Sequence, residues 1–169
     1  MDEVERLIEE FRARANSPAV SKLDVLLDLE RLRDPRIVPF LLEVLGDSKE
    51  PAAVRIYIVK RLRNGRPNSG NRAAVARAII ELLAKGSSPE LRLQAALALA
   101  EFTHFDRIPY TLGRLALDVT EPLDLRYSAF TSLERVGPTP ECVDILRQLS
   151  ADETLGNSAR SLLASWQVE

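Results

Sequence analysis

The stretch Ser88–Phe102 reads S-P-E-L-R-L-Q-A-A-L-A-L-A-E-F. It opens as a helix opens. The Ser88 hydroxyl can accept from the free amides of a first turn, Pro89 suits the first helical position, and Glu90 favours the positive end of the dipole. Past this first turn the stretch is apolar on nearly every side, with Leu91, Leu93, Ala95, Ala96, Leu97, Ala98, Leu99, Ala100 and Phe102. A helix with so little polar surface must be covered on several sides at once. The run is too short to span a bilayer, and Arg92 and Gln94 interrupt it. It is therefore expected to be the centre of a stack, with helices before and after it packed on its flanks. Its alanines allow close approach between axes.

The chain of 169 residues suits one compact domain or one short solenoid. Its net charge of −2 argues in bulk for neither a nucleic-acid nor a membrane partner. The single cysteine, Cys142, excludes an internal disulfide and any cysteine-rich metal site. The N-terminal M-D-E-V-E-R-L-I-E-E-F is acidic and amphipathic and reads as neither signal nor transit peptide. A cytoplasmic location is the expectation, with no membrane partner and no cofactor.

Helical spacing fills the rest of the chain. Val4, Leu7, Ile8, Phe11 and Ala15 share a face, with Asp2 as a cap. A second helix carries Leu23, Leu26 and Leu27. A third starts after Asp34-Pro35 and ends at Gly46, and a fourth runs from Glu50 to Arg63. The polar connection N-G-R-P-N-S-G-N, residues 64–71, separates these from a fifth helix over Arg72–Lys85. Beyond the central helix, the seventh covers Arg107–Asp118 and the eighth starts after Glu121-Pro122. The ninth spans Pro140–Ser150, and the tenth holds Leu155, Ala159, Leu162, Leu163 and Trp166. No strand pattern interrupts them. The expected fold is all-α.

The helices pair, and the pairs repeat. P-A-A-V-R-I-Y-I-V-K-R-L from Pro51, P-E-L-R-L-Q-A-A-L-A-L from Pro89 and P-L-D-L-R-Y-S-A-F-T-S-L from Pro122 share an early proline and an arginine. Apolar residues stand three and seven positions beyond each arginine: Ile58 and Leu62, Ala95 and Leu99, Ala129 and Leu133. Arg55, Arg92 and Arg126 lie 37 and 34 residues apart. The preceding helices, R-I-V-P-F-L-L-E-V-L-G-D from Arg36 and R-I-P-Y-T-L-G-R-L-A-L-D from Arg107, also match. A period of this size marks a helical solenoid, in which each pair buries its apolar face only against its neighbours. On the helical wheel Arg55 falls inside the apolar arc, so it needs an anionic or carbonyl partner.

These residues resemble the HEAT repeat family, in particular the bacterial HEAT-like repeats also found in phycobilisome lyases. The resemblance covers the chain as five antiparallel pairs, an α-α superhelix over residues 1–169 in a single domain. It implies an armadillo-type scaffold with second helices on the inner face. It also implies a ladder in which a turn aspartate and a second-helix arginine link successive repeats, here Asp47 with Arg55 and Asp118 with Arg126. Three places depart from that pattern. Lys85-Gly86 replaces the aspartate before Arg92, and Lys22 stands where the first repeat would carry arginine. In the last pair, Asp152 and Arg160 keep the spacing of eight, but the apolar register puts Gly156 at the arginine position. The apolar register is preferred, on the expected burial of Leu163 and Trp166.

Charge, not a catalytic motif, is the most unusual feature. Pro51–Ile80 holds Arg55, Lys60, Arg61, Arg63, Arg66, Arg72 and Arg77 and no acidic residue. Seven positive charges within a total of −2 leave −9 elsewhere. With Arg55 set aside as structural, the other six form a candidate partner-binding cluster, suited to an acidic protein surface or to phosphates. The bland alternative is a solvated face that keeps the chain soluble. Tyr57 is the one aromatic near the cluster, which disfavours a stacking platform for single strands.

His104 has no histidine or cysteine at ligand spacing, so it is read as structural or exposed and not as a metal ligand. Cys142 reads as a small packing residue. Asp34, Asp106 and Asp118 sit at expected helix ends, where capping accounts for them. Gly65, Gly70 and Gly86 lack the strand a phosphate loop needs. The function expected from the resemblance and the cluster is a non-catalytic scaffold that binds another protein. Two other classes compete: nucleic-acid binding, as in the HEAT-like alkylpurine DNA glycosylases, and a bilin-lyase-like or chaperone-like subunit.

Overall fold

The computed structural model describes residues 1–64, 71–105 and 107–168. Among these residues there are ten α-helices, one 3-10 segment and no strand. The helices are α1 (Glu3–Ala13), α2 (Ala19–Leu32), α3 (Ile37–Leu45), α4 (Ala52–Asn64), α5 (Arg72–Glu81), α6 (Pro89–Ala98), α7 (Arg107–Leu117), α8 (Leu123–Val136), α9 (Pro140–Leu149) and α10 (Gly156–Ser165). The 3-10 segment Leu99–Phe102 continues α6. No helix among the described residues is long and apolar enough to cross a membrane.

Local chemistry sets the starts. Asp2 forms a capping box with Glu5, each side chain accepting from the other's amide at 2.9 and 3.2 Å. The Ser88 hydroxyl accepts from the Leu91 amide at 3.2 Å, with Pro89 at the first helical position. Thr139 and Pro140 do the same for α9. Several expected boundaries shift by one to four residues, and two have a visible cause. α3 begins at Ile37, because Asp34 accepts from the Arg36 amide and guanidinium and turns the chain first. α5 ends at Glu81, four residues before Lys85. The amides of Leu82 and Leu83 take tighter bonds three residues back, to Ile79 and Ile80, both at 3.1 Å.

The chain divides into two compact units, Met1–Ala78 and Ile79–Glu169, with the division inside α5. In the first, α1 packs on α2, α3 on α4, and α2 on α4. Phe11 and Phe40 meet edge to face at 5.4 Å and join α1 to α3. In the second, α7 packs on α8 and α9 on α10, while α6 lies on α8 and α7 on α9. Within each unit, then, a helix pair leans on the next. Gly113 permits the α7–α9 approach, since a Cβ there would lie 2.5 Å from Ile145 Cδ1. Along α6, Leu91, Ala95, Ala96, Ala98 and Leu99 are fully buried. Leu93, Gln94 and Leu97 are partly exposed. Each fully buried leucine is stabilised by roughly 2 kcal/mol. That exceeds any ordinary difference in helix propensity, so neighbours rather than local preference hold these helices.

The polar ladder exists, but its carboxylates are not the expected ones. The fourth residue of each second helix from α2 to α8 is cationic: Lys22, Arg55, Arg92 and Arg126. The Nε of each arginine donates to a carbonyl at or just beyond the end of the preceding helix: Leu45, Leu83 and Ala116, all at 2.9 Å. Those carbonyls have lost their intrahelical donors, so the guanidinium satisfies them and meets the negative end of the dipole. The carboxylate then comes from the turn inside the following helix pair. Lys22 bonds Glu50 at 2.8 Å, Arg92 pairs with Glu121, and Arg126 pairs with Asp152. Asp47 and Asp118 instead turn back on their own loops. Asp47 accepts from the Lys49 amide, and Asp118 from the Thr120 amide and hydroxyl. Asp152 makes the same local bond, accepting from the Thr154 amide at 2.8 Å, and reaches Arg126 with its other oxygen. Lys22 does the arginine's work while almost wholly buried, with its ammonium over the Phe11 ring at 5.1 Å.

The last pair combines its two readings. Arg160 donates to the Ser150 carbonyl ten residues back, as Arg126 does to Ala116. Gly156 is buried, and a Cβ on it would lie 3.1 Å from the Arg160 guanidinium. The bare backbone at 156 thus leaves the route that Arg160 uses. Leu163 is buried, while Trp166 is only half-buried.

Candidate functional site

α4 and α5 carry the basic cluster. Lys60, Arg61 and Arg77 are exposed, and Arg63 and Arg72 are half-buried. Arg66 lies outside the described residues. The buried stripe of α4, Val54, Ile58, Val59 and Leu62, turns Lys60 to the opposite side and leaves Arg61 at its edge. Arg55 is separate from the cluster in role, since its Nε is committed to the Leu45 carbonyl.

Arg61 is not a bare cation. Its Nε–H donates to the Tyr57 hydroxyl at 3.3 Å, and its guanidinium lies 5.3 Å from the Tyr57 ring centre. The same nitrogen is 3.1 Å from a Glu30 oxygen on α2. That oxygen is buried and accepts no aligned hydrogen bond, so the Glu30–Arg61 contact is a charge pair. Its neighbours hold the Arg61 guanidinium more firmly charged, the Tyr57 bond first and the Glu30 charge next. Burial pushes the Tyr57 hydroxyl above its ordinary value. Sequence reading missed Glu30 because it lies 31 residues from Arg61 and carries no motif; only the α2–α4 packing joins them. Lys60, Arg63 and Arg77 therefore contribute more unmatched charge than Arg61.

The other candidates resolve simply. His104 is exposed, with its ring 4.3 Å from that of Phe105. No cluster able to hold a metal ion occurs among the described residues. Cys142 is buried, its thiol points at the Leu133 carbonyl at 3.5 Å, and burial pushes its pKa up to about 11. At neutral pH it is an unreactive thiol. Asp34 is held at about 2 by the Arg36 guanidinium and amide, and Asp118 is lowered by its Thr120 bonds. Both are turn residues. Asp106, Gly65 and Gly70 lie outside the described residues, and Gly86 has open space around it.

Fold and site define a class: an all-helical protein whose helices pack pairwise within each unit, with exposed cations on α4 and on α5. Comparison with protein-family models and with curated proteins finds no match.

Proposed function

We propose that the chain is a non-catalytic scaffold of HEAT type that binds an acidic surface of another protein through α4 and α5. Lys60, Arg63 and Arg77 are the principal contacts and Arg61 and Arg72 secondary ones, while Arg66, of the same cluster in the sequence, lies outside the described residues. The observation that carries the reading is the set of exposed cations on these two helices, Lys60, Arg61 and Arg77, within a run, 51–80, that holds no acidic residue. Helices held by their neighbours present such a surface with little ordering cost on binding. Arginine and lysine in this density suit carboxylates on a partner.

The test is charge reversal at Lys60, Arg63 and Arg77, sparing Arg61 because a glutamate there would face Glu30. The captured partner is identified with wild-type chain and its affinity for the triple variant measured. The expected loss is about tenfold or more at low salt, with an unfolding temperature close to wild type. Unchanged affinity removes the cluster from the function.

A further inference from the structure

The second unit has an open trough between α8 and α10, of about 450 Å³. α8 contributes Phe130 and Glu134, and α10 contributes Asn157, Ser158, Ser161, Leu162 and Ser165. On α8 these residues continue a stripe, because Leu123, Tyr127, Phe130 and Glu134 are spaced four, three and four apart. Leu123 is 46% and Tyr127 40% exposed, large values for apolar side chains on one stripe. The floor is Phe130 and Leu162, each 8% exposed, the α10 wall is the Asn157 amide and three hydroxyls, and the one charged lining group is Glu134.

The first unit shows what such a site holds when filled. Glu30 lies eight residues after the ladder cation Lys22, and Glu134 lies eight after Arg126. Glu30 meets a guanidinium from the next second helix, Arg61 of α4. Glu134 shares the trough with the hydroxyls and amide of the next second helix, α10, and has no ion pair among the described residues. The adjacent Arg135 is committed to Glu101 at 2.8 Å. Glu134 also sits in the last turn of α8, where a carboxylate adds to the negative end of the dipole and a cation is favoured.

We infer that this trough is a docking site for an arginine-bearing amphipathic helix of a partner protein. The occupant's aliphatic side chains lie on Phe130 and Leu162 and extend over Tyr127. Its guanidinium takes the place at Glu134 that Arg61 takes at Glu30. The surface lies on a different unit from the basic cluster, and either proposal can fail alone.

The test pans a displayed library of short helical peptides against the full chain, against Glu134→Gln and against Ser161→Trp, which fills the trough. Both substituted side chains are exposed, and circular dichroism checks that each variant is folded. The wild-type chain should select peptides with arginine at one position and aliphatic residues one and two turns before it. Glu134→Gln should lose the arginine preference and weaken the selected peptides about tenfold. Ser161→Trp should abolish capture. An arginine preference that survives Glu134→Gln, a selected pool without arginine, capture unaffected by Ser161→Trp, or no enrichment at all would each overturn the inference.

Discussion

In the first unit, Glu30 meets Arg61, while Arg55 reaches only the Leu45 carbonyl and has no carboxylate partner among the described residues. In the second unit the pattern is reversed. Arg92 and Arg126 each hold a carboxylate, and Glu134 faces hydroxyls. The backbone places are the same, counted from the fourth residue of each second helix. The partners differ because the residue that answers comes from another turn or another helix. Glu50 and Glu121 each stand five residues before the next ladder arginine, and Ser87 stands at that place before Arg92. A repeated register therefore fixes where a charge points without fixing what it meets. Positions whose answer is missing are the ones free to take it from a partner.

Breaking a complete rung should have the largest effect. Arg92 and Glu121 are both over nine-tenths buried. Glu121→Ala leaves a buried guanidinium without its counter-charge and should cost about 3–5 kcal/mol in urea unfolding. A loss near that of a surface residue would mean that the second unit does not depend on this rung.

Acid sharpens the same comparison. The Asp152 carboxyl is held below its ordinary range, first by the Leu155 amide and then by Arg126. Its contribution is fully present above the unfolded value of about 3.9 and is lost as pH falls through the lower folded value. Asp152→Asn should cost about 2 kcal/mol at pH 7. The gap from wild type should close as the pH is taken down through that folded value. A gap constant with pH would show that the charge of Asp152 contributes nothing.

The smallest effect is expected at Arg55. Arg55→Met removes one hydrogen bond to a helix-end carbonyl and no ion pair, and keeps the aliphatic stem. It should cost about 1 kcal/mol, against several for the Arg92 rung. A cost equal to that of Glu121→Ala would erase the distinction between the two kinds of rung.

Much of this was legible in the residues. Asp2 and Ser88-Pro89 announced their helices because a cap is chemistry within four residues. The place of Arg55 inside an apolar arc demanded a partner, and a carbonyl answers it. Asp47 and Asp118 misled as ladder partners, because spacing along the chain could not show that each is satisfied by an amide two residues on. The cationic stretch was visible at once, yet the pairing of Arg61 with Glu30 was not.

By itself the sequence determined the all-helical character, the helix order and the faces that turn inward. Periodicity and caps are short-range, and apolar residues have one favourable place to go. The tertiary structure alone decided which carboxylate serves which cation, and which carboxylate is left facing an open trough. Those pairings span 26 to 31 residues. Across such separations a charge is matched only by what the packing of one helix pair on the next brings within a few ångströms.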